Sequence, residues 1–210
     1  MSGPSASCPN CGAKIDFRWS SAVQTTCAFC KSILVRHDVD LRKVGEVGDL
    51  PSDQTPIQLG TTGRHGRRGF TVVGRIMYEY ERGTWNEWHI RLDDQTSEWL
   101  SDAVAEYAVS RAVQAPDTPA AKDVSVGRSY AWEKRIYKVT SLTTAHYRGV
   151  EGELPFEYWD KHDVLFADLS TDDGHFATLD YSDQPPTLYL GEYVEFDDLR
   201  MDNLRAIAGW

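Results

Sequence analysis

Positive charge is nearly absent from the last third of the chain, where residues 150–210 set fifteen Asp or Glu against only Lys161, Arg200 and Arg205. That part carries −12 of a net charge of −10, and residues 1–149 carry +2. Such an acidic part repels a phosphate backbone, so nucleic acid is an unlikely main ligand, while a basic partner is tolerated. Long apolar runs are missing too. None approaches the ~20 residues a membrane helix needs, so no span is expected, although a membrane-associated partner stays open. The start "MSGPSAS" has neither the basic nor the apolar region of a secretory leader. No cysteine follows Cys30. Together these absences make a reducing cytoplasm the expected compartment.

What cysteine there is lies in "SCPNCGAKIDFRWSSAVQTTCAFCK", residues 7–31. Cys8 and Cys11 form one Cys-x-x-Cys pair, Cys27 and Cys30 a second, and fifteen residues separate the pairs. This spacing is that of a zinc ribbon, in which two tight knuckles present four thiolates to one tetrahedral ion. Gly12 suits the turn of the first knuckle, whereas Lys31 stands where a second Gly is usual. Two disulfides would suit a shorter secreted scaffold, and a redox site needs one pair. Iron on four thiolates is a further alternative. Four protein ligands leave no open position, so one structural zinc is expected, contributing about 10 to 16 kcal/mol to folding of the segment.

Beyond the ribbon (1–37), Gly45, Gly48, Pro51 and Pro56 mark a linker over 38–56, and "QAPDTPAAKD" marks another at 114–122. Between and after them lie two β-rich segments, 57–113 and 123–210. "TVVGRIMYEY" alternates, with Val72, Ile76, Tyr78 and Tyr80 expected on one side and Arg75 and Glu79 on the other. After a turn at "ERGT", "WNEWHIRL" sets Trp88, Ile90 and Leu92 opposite Glu87, His89 and Arg91. Sliding the chain by 67 residues superposes Gly60 on Gly127, Phe70 on Tyr137, Val72 on Val139 and Tyr80 on Tyr147. A small insertion in the second copy then aligns the Asp173-Gly174 turn with the turn at 93–96. Under this repeat "SDAVAEYAVSRAV" reads as strand, loop and strand, because its counterpart contains Pro185 and Pro186. The expected fold is mainly β: an N-terminal zinc ribbon, two related antiparallel β modules as barrel or meander, and a short C-terminal helix in "DDLRMDNLRAIAG" with Asp197 as cap.

The residues "WNEW", Trp99-Leu100, "GELPF" at 152–156 and "ATLDYSDQPPTLYLGEYVEF" resemble the bacterial family called domain of unknown function 4178. The resemblance covers about residues 55–205. It implies a β-rich fold, no established catalysis, and family members encoded near polyamine-type metabolism and envelope-stress genes.

Several side-chain groups stand out, each with a plainer reading as solvated surface. Glu87 and His89 alternate on one strand face, where they serve as an acid–base pair or as cross-strand charge partners. Asp168, Asp172, Asp173 and Asp180 with His175 offer hard oxygen ligands but fit no metal loop. Glu151, Glu153 and Glu157 lie near His146 and His162 without a nucleophile or phosphate loop. Arg64, Arg67 and Arg68 in "GRHGRRG" offer an anion clamp, as do Lys14, Arg18, Lys31 and Arg36 on the ribbon. Trp85, Trp88, Trp99, Trp132 and Trp159 divide between core and surface, and alternation places Trp85 outward. Phe17, Trp19 and Phe29 are expected on the ribbon's exterior. The leading expectation is a non-enzymatic adaptor that docks a protein through Trp19, Phe29 and Trp85. The alternatives are a small-molecule binder or enzyme with a site between the modules, built from Glu87, His89, Glu153 and Asp180, and a nucleic-acid-binding ribbon.

Overall fold

A computed structural model describes residues 5–37, 40–48, 50, 55–158 and 162–207. It is mainly β. Five strands build the ribbon: β1 (Ser5–Ser7) pairs with β2 (Lys14–Asp16), and β3 (Gln24–Thr26), β4 (Ser32–His37) and β5 (Asp40–Glu46) form a three-stranded sheet. Residues 40–46, expected as linker, are therefore the ribbon's last strand. Leu34, Ile15, Phe17 and Trp19 pack with Cys8 and Cys27 in a small core.

The other ten strands form one sheet. In chain order they are β6 (Thr62–His65), β7 (Arg68–Tyr80), β8 (Gly83–Leu92), β9 (Ser97–Ala103), β10 (Glu106–Val113), β11 (Ser129–Trp132), β12 (Arg135–Gly152), β13 (Asp163–Ser170), β14 (His175–Asp180) and β15 (Thr187–Val194). Their lateral order is β11-β12-β13-β14-β15-β10-β9-β8-β7-β6, and β12 also pairs with β7. That extra pairing closes β7–β10 and β12–β15 into an antiparallel ring of eight strands, with β6 and β11 as flanking hairpin arms.

The repeat read from the sequence recurs in the backbone. Gly60 and Gly127 both have φ +89, and each donates its N–H at 2.9 Å to Val72 and Val139 respectively. Val72 pairs with Ile90 and Val139 with Leu169, so the offset between copies is 67 before the second copy's insertion and 79 after it. The insertion thus lies between β12 and β13. A bulge sits at the same place in both copies, with Val73 unpaired between Val72 and Gly74, and Thr140 between Val139 and Ser141.

This bulge overturns one expected alternation. An extra residue turns every later side chain to the opposite face. Val72 accordingly packs with Phe70, Trp88, Ile90 and Leu100 in a core belonging to the first module, while Ile76 and Tyr78 join a different cluster. Val139 likewise packs with Tyr137, Leu169, Leu179 and Leu188 in the second module's core. The third cluster joins the two copies, with Ile76, Tyr78, Tyr147, Val164, Phe166 and the ribbon's Ile33. Arg75 is buried under the same flip, its guanidinium 4.8 Å from the Trp88 ring centre and its Nε donating to Asn86 at 2.8 Å.

Strand, loop and strand replace the helical alternative at 97–113, where Val104 and Ala105 take positive φ in the β9–β10 turn. The C-terminal helix reduces to a single 3-10 turn, Phe196–Leu199, ended by Arg200 at φ 45. After it Asp202 bridges to Thr62, and Leu199, Met201 and Leu204 cover the first module's core. Chain pairing and burial of these side chains outweigh helical propensity here. Among the described residues no helix is long and apolar enough to cross a membrane.

The insertion following β12 crosses β7 at very short range. A Cβ on Gly74 would lie 2.1 Å from the Glu153 carbonyl oxygen. Gly74→Ala should therefore cost at least about 2 kcal/mol, lowering the melting temperature by about 4 to 8 °C in a chain of this size. An unchanged melting temperature would mean that these backbones do not touch.

Candidate functional site

The four cysteines converge. Their Sγ atoms lie within 4.8 Å of one another, and the Cys8–Cys30 and Cys11–Cys27 contacts are both 3.7 Å. A tetrahedral ion about 2.3 Å from each sulfur sets S···S edges at roughly 3.8 Å, so the arrangement fits such an ion. Both knuckles use one backbone turn, in which Gly12 N–H donates to Cys8 O at 2.8 Å and Lys31 N–H to Cys27 O at 3.0 Å. Gly12 (φ 75) and Lys31 (φ 59) share the left-handed conformation, so the sequence departure at Lys31 leaves the turn intact. The Ser32 hydroxyl, 3.2 Å from Cys30 Sγ, is the chief cause holding that thiol down to about 5.

The ribbon is built into the base of the ring. Glu153, inside the insertion, accepts the Arg18 and Trp19 N–H groups on its two carboxylate oxygens at 2.7 and 2.8 Å. Leu154 exchanges backbone hydrogen bonds with Gln24, and the Gln24 side chain clasps Tyr158 N and O at 2.8 and 2.9 Å. Burial pushes the Glu153 carboxyl up, against those two amides. His89 is fully buried beside it, with Nδ1 2.8 Å from Glu153 O and its ring 4.9 Å from Trp19 and 5.2 Å from Trp99. Burial holds this imidazole down to about 4, so it stays neutral and donates through Nδ1. His89 and Glu153 thus join ribbon to ring.

Above this base the ring encloses a lumen of about 680 Å³, to which all eight ring strands contribute. Trp99 and Phe156, stacked with centroids 5.7 Å apart, line its ribbon-side end. Glu81, Arg82 and Leu142 mark an exposed rim at the other end. Glu87 (β8), Asp168 (β13) and Asp180 (β14) point inward between them. Glu87 accepts from Trp85 Nε1 at 3.0 Å and Ser101 Oγ at 2.8 Å; Asp168 accepts from Ser141 Oγ at 2.9 Å and Thr178 Oγ1 at 3.0 Å. Asp180 Oδ1 takes both the N–H and the hydroxyl of Ser182. Burial raises all three carboxyls, Glu87 to about 7, with the charges of Asp168 and Asp180 adding to its shift.

The four residues expected in one ligand site therefore divide: Glu87 and Asp180 reach the lumen, His89 and Glu153 the base. Asp168 joins the first pair. Asp172 and Asp173 stay at an exposed turn, where Asp173 is held near 2 by Thr171 and His175. Trp85 does not face outward, because Tyr78 stacks on it at 4.8 Å and Phe166 meets it edge-on at 5.6 Å in the lumen wall. Trp19 and Phe17 are buried, and of the expected ribbon aromatics only Phe29 is exposed, at 76%. Trp88, Trp99 and Trp132 are core, and Trp159 lies outside the described residues. Arg64, Arg67 and Arg68 share the β6–β7 tip without converging: Arg68 is taken by Glu98 at 2.5 Å, and Arg64 donates to Arg67 O. Sequence reasoning missed Ser101, Thr178 and Tyr189 as lumen residues. Their signal was the hairpin register, which sets Glu87 opposite Ser101, Asp168 opposite Thr178 and Thr178 opposite Tyr189.

A carboxyl raised from its ordinary 4.5 to about 7 binds its proton more tightly folded than unfolded. The stability this gives is complete below about pH 4.5 and is lost as pH rises through 7. Glu87→Gln removes that dependence. Its melting temperature should therefore gain on the wild type steadily from pH 5 to pH 8, and a pH-independent difference would place Glu87 in open solvent.

The family model described as domain of unknown function (DUF4178) matches residues 58–196, from the segment before β6 to just past β15. No curated protein and no solved structure matches the chain. The match takes in the whole ten-stranded sheet and leaves the ribbon outside it, so the chain belongs to the DUF4178 family and carries an N-terminal four-cysteine ribbon in addition.

Proposed function

We propose that this protein binds a small molecule in the ring lumen and that the ribbon is the structural closure of one end. The lumen carries the reading. Its volume falls in the range of pockets that enclose small ligands, about 300–1,000 Å³, and it combines aromatic walls with a few inward polar groups. Of the three aromatics expected to dock a protein partner, Phe29 is exposed, while Trp19 and Trp85 are taken up internally, which favours the lumen over the adaptor reading.

Trp85 and Trp99 line the lumen, so occupancy should change their fluorescence. Native mass spectrometry of the full chain should show a non-covalent small-molecule mass that disappears on denaturation. Ala103→Trp, at the rim, and Ser101→Phe, further in, should abolish that mass while leaving the fold cooperative. Retention of the same mass by both folded variants would put the ligand elsewhere.

The ribbon's ion is zinc in this reading, because four thiolates in a closed tetrahedron favour a soft, redox-silent metal. Elemental analysis should give one zinc per chain, and Cys27→Ser should lose it together with the contacts of Arg18 and Trp19 to Glu153. Iron in place of zinc, or a folded metal-free chain, would refute the assignment.

A further inference from the structure

We propose that the ligand of the lumen is an organic ammonium cation, its N–H or N-methyl head held among Glu87, Asp168 and Asp180 and its carbon stem against the aromatic wall. This rests on the lumen being a binding site. Charge comes first. Glu81, Glu87, Glu106, Asp168 and Asp180 line the lumen, and among the described residues the sole cationic side chain lining it is Arg82, exposed at the rim. Among the described residues these inner carboxylates are met by neutral donors only, the hydroxyls of Ser101, Ser141, Thr178 and Ser182, the Ser182 N–H and the Trp85 indole. Neutral donors orient a carboxylate but leave its charge uncompensated in a weakly solvated space. A cation among them supplies the missing compensation, whereas an anion is repelled by the same carboxylates.

Two unfilled positions point the same way. Tyr189, deep in the wall, has no hydrogen-bond partner among the described residues, and it lies near enough to Asp180 and Glu87 for their charges to act on its hydroxyl. Its oxygen is an open acceptor. Asp180, which lines the lumen, uses Oδ1 for Ser182, and among the described residues nothing donates to its Oδ2. An ammonium head provides up to three donors in a compact volume and meets both together. Aromatic side chains make up much of the remaining wall: Tyr78, Trp85, Phe166 and Trp99 offer ring surface to an alkyl stem and to the face of a quaternary head. A divalent metal ion is the poorer fit, since among the described residues only the four cysteines gather closely enough to ligate one.

Titration of the full chain with hexylammonium, hexyltrimethylammonium, hexanol and hexanoate, read by calorimetry and tryptophan fluorescence, tests the assignment. One or both ammonium probes should bind at least tenfold more tightly than hexanol, and hexanoate more weakly still. The double variant Glu87→Gln, Asp180→Asn removes charge without changing size and should lose that preference while keeping its melting transition. The assignment is overturned if hexanol or hexanoate binds as well as the ammonium probes, if the double variant keeps the preference, or if no probe binds at millimolar concentration. Ala103→Trp separates the two levels of argument. Neutral or anionic probes that bind and are blocked by it leave the lumen site standing and refute only the cation, whereas ammonium binding that it does not weaken refutes both.

Discussion

The pairing of β7 with β12 is the contact on which the rest depends. Each long strand pairs inside its own module along one edge and, beyond its bulge, pairs with the other copy along the opposite edge. Without that crossing the two modules would be consecutive meanders with two open edges, a state prone to edge-to-edge association. With it, the sheet closes and a lumen appears between the copies. The symmetry is deliberately incomplete. Residue Glu79 pairs with its own repeat equivalent, His146, but β12 runs on to Gly152 while β7 stops at Tyr80. Where the missing half would lie, Glu81 and Arg82 face Ser141, Leu142 and Thr144, and that gap is the mouth.

The insertion between β12 and β13 uses the other end. Gly152 at the end of β12 and Glu153, Leu154 and Tyr158 of the insertion all bond to the ribbon, so the segment by which the copies differ in length is the one that holds the added domain. Divergence at equivalent positions does the remainder. His89 and Asp168 are repeat equivalents, as are Ser101 and Asp180, yet only the second copy's members are acids. His89 packs against Trp19 under the ribbon, while Asp168 remains in the lumen. One backbone, used twice, thereby yields a sealed end and a charged interior.

Much of the fold was legible in the sequence because it is local. Cysteine spacing, turn residues and the 67-residue repeat each depend on neighbours within a hairpin, and the structure bears them out. One failure comes from a single extra residue, and the others from contacts made only when the ring closes or the ribbon docks. Nothing in "TVVGRIMYEY" marks Val73 as a bulge, so Val72 and Ile76 were expected on one face although they serve different clusters. Trp85 was misplaced for a related reason: alternation within β8 fixes its face relative to Trp88, but only ring closure makes that face an interior. Glu153 and His89 were recognised as chemically unusual, and the partner that explains them lies 134 residues away from Glu153, at Trp19.

Charge carries the last step. Counted along the chain, the acidic residues after 150 look like solvated surface, the ordinary fate of carboxylates. Asp168 and Asp180 are instead turned into a confined space together with Glu87, whose carboxyl is pushed up by burial first and by their charges in addition. A closed β barrel selected for stability alone would fill this interior with apolar side chains, as its two module cores do on the sheet's other face. Retaining three carboxylates there weakens the apo fold as pH rises, and a cationic ligand relieves the same repulsion, so occupancy and stability are tied to one set of charges.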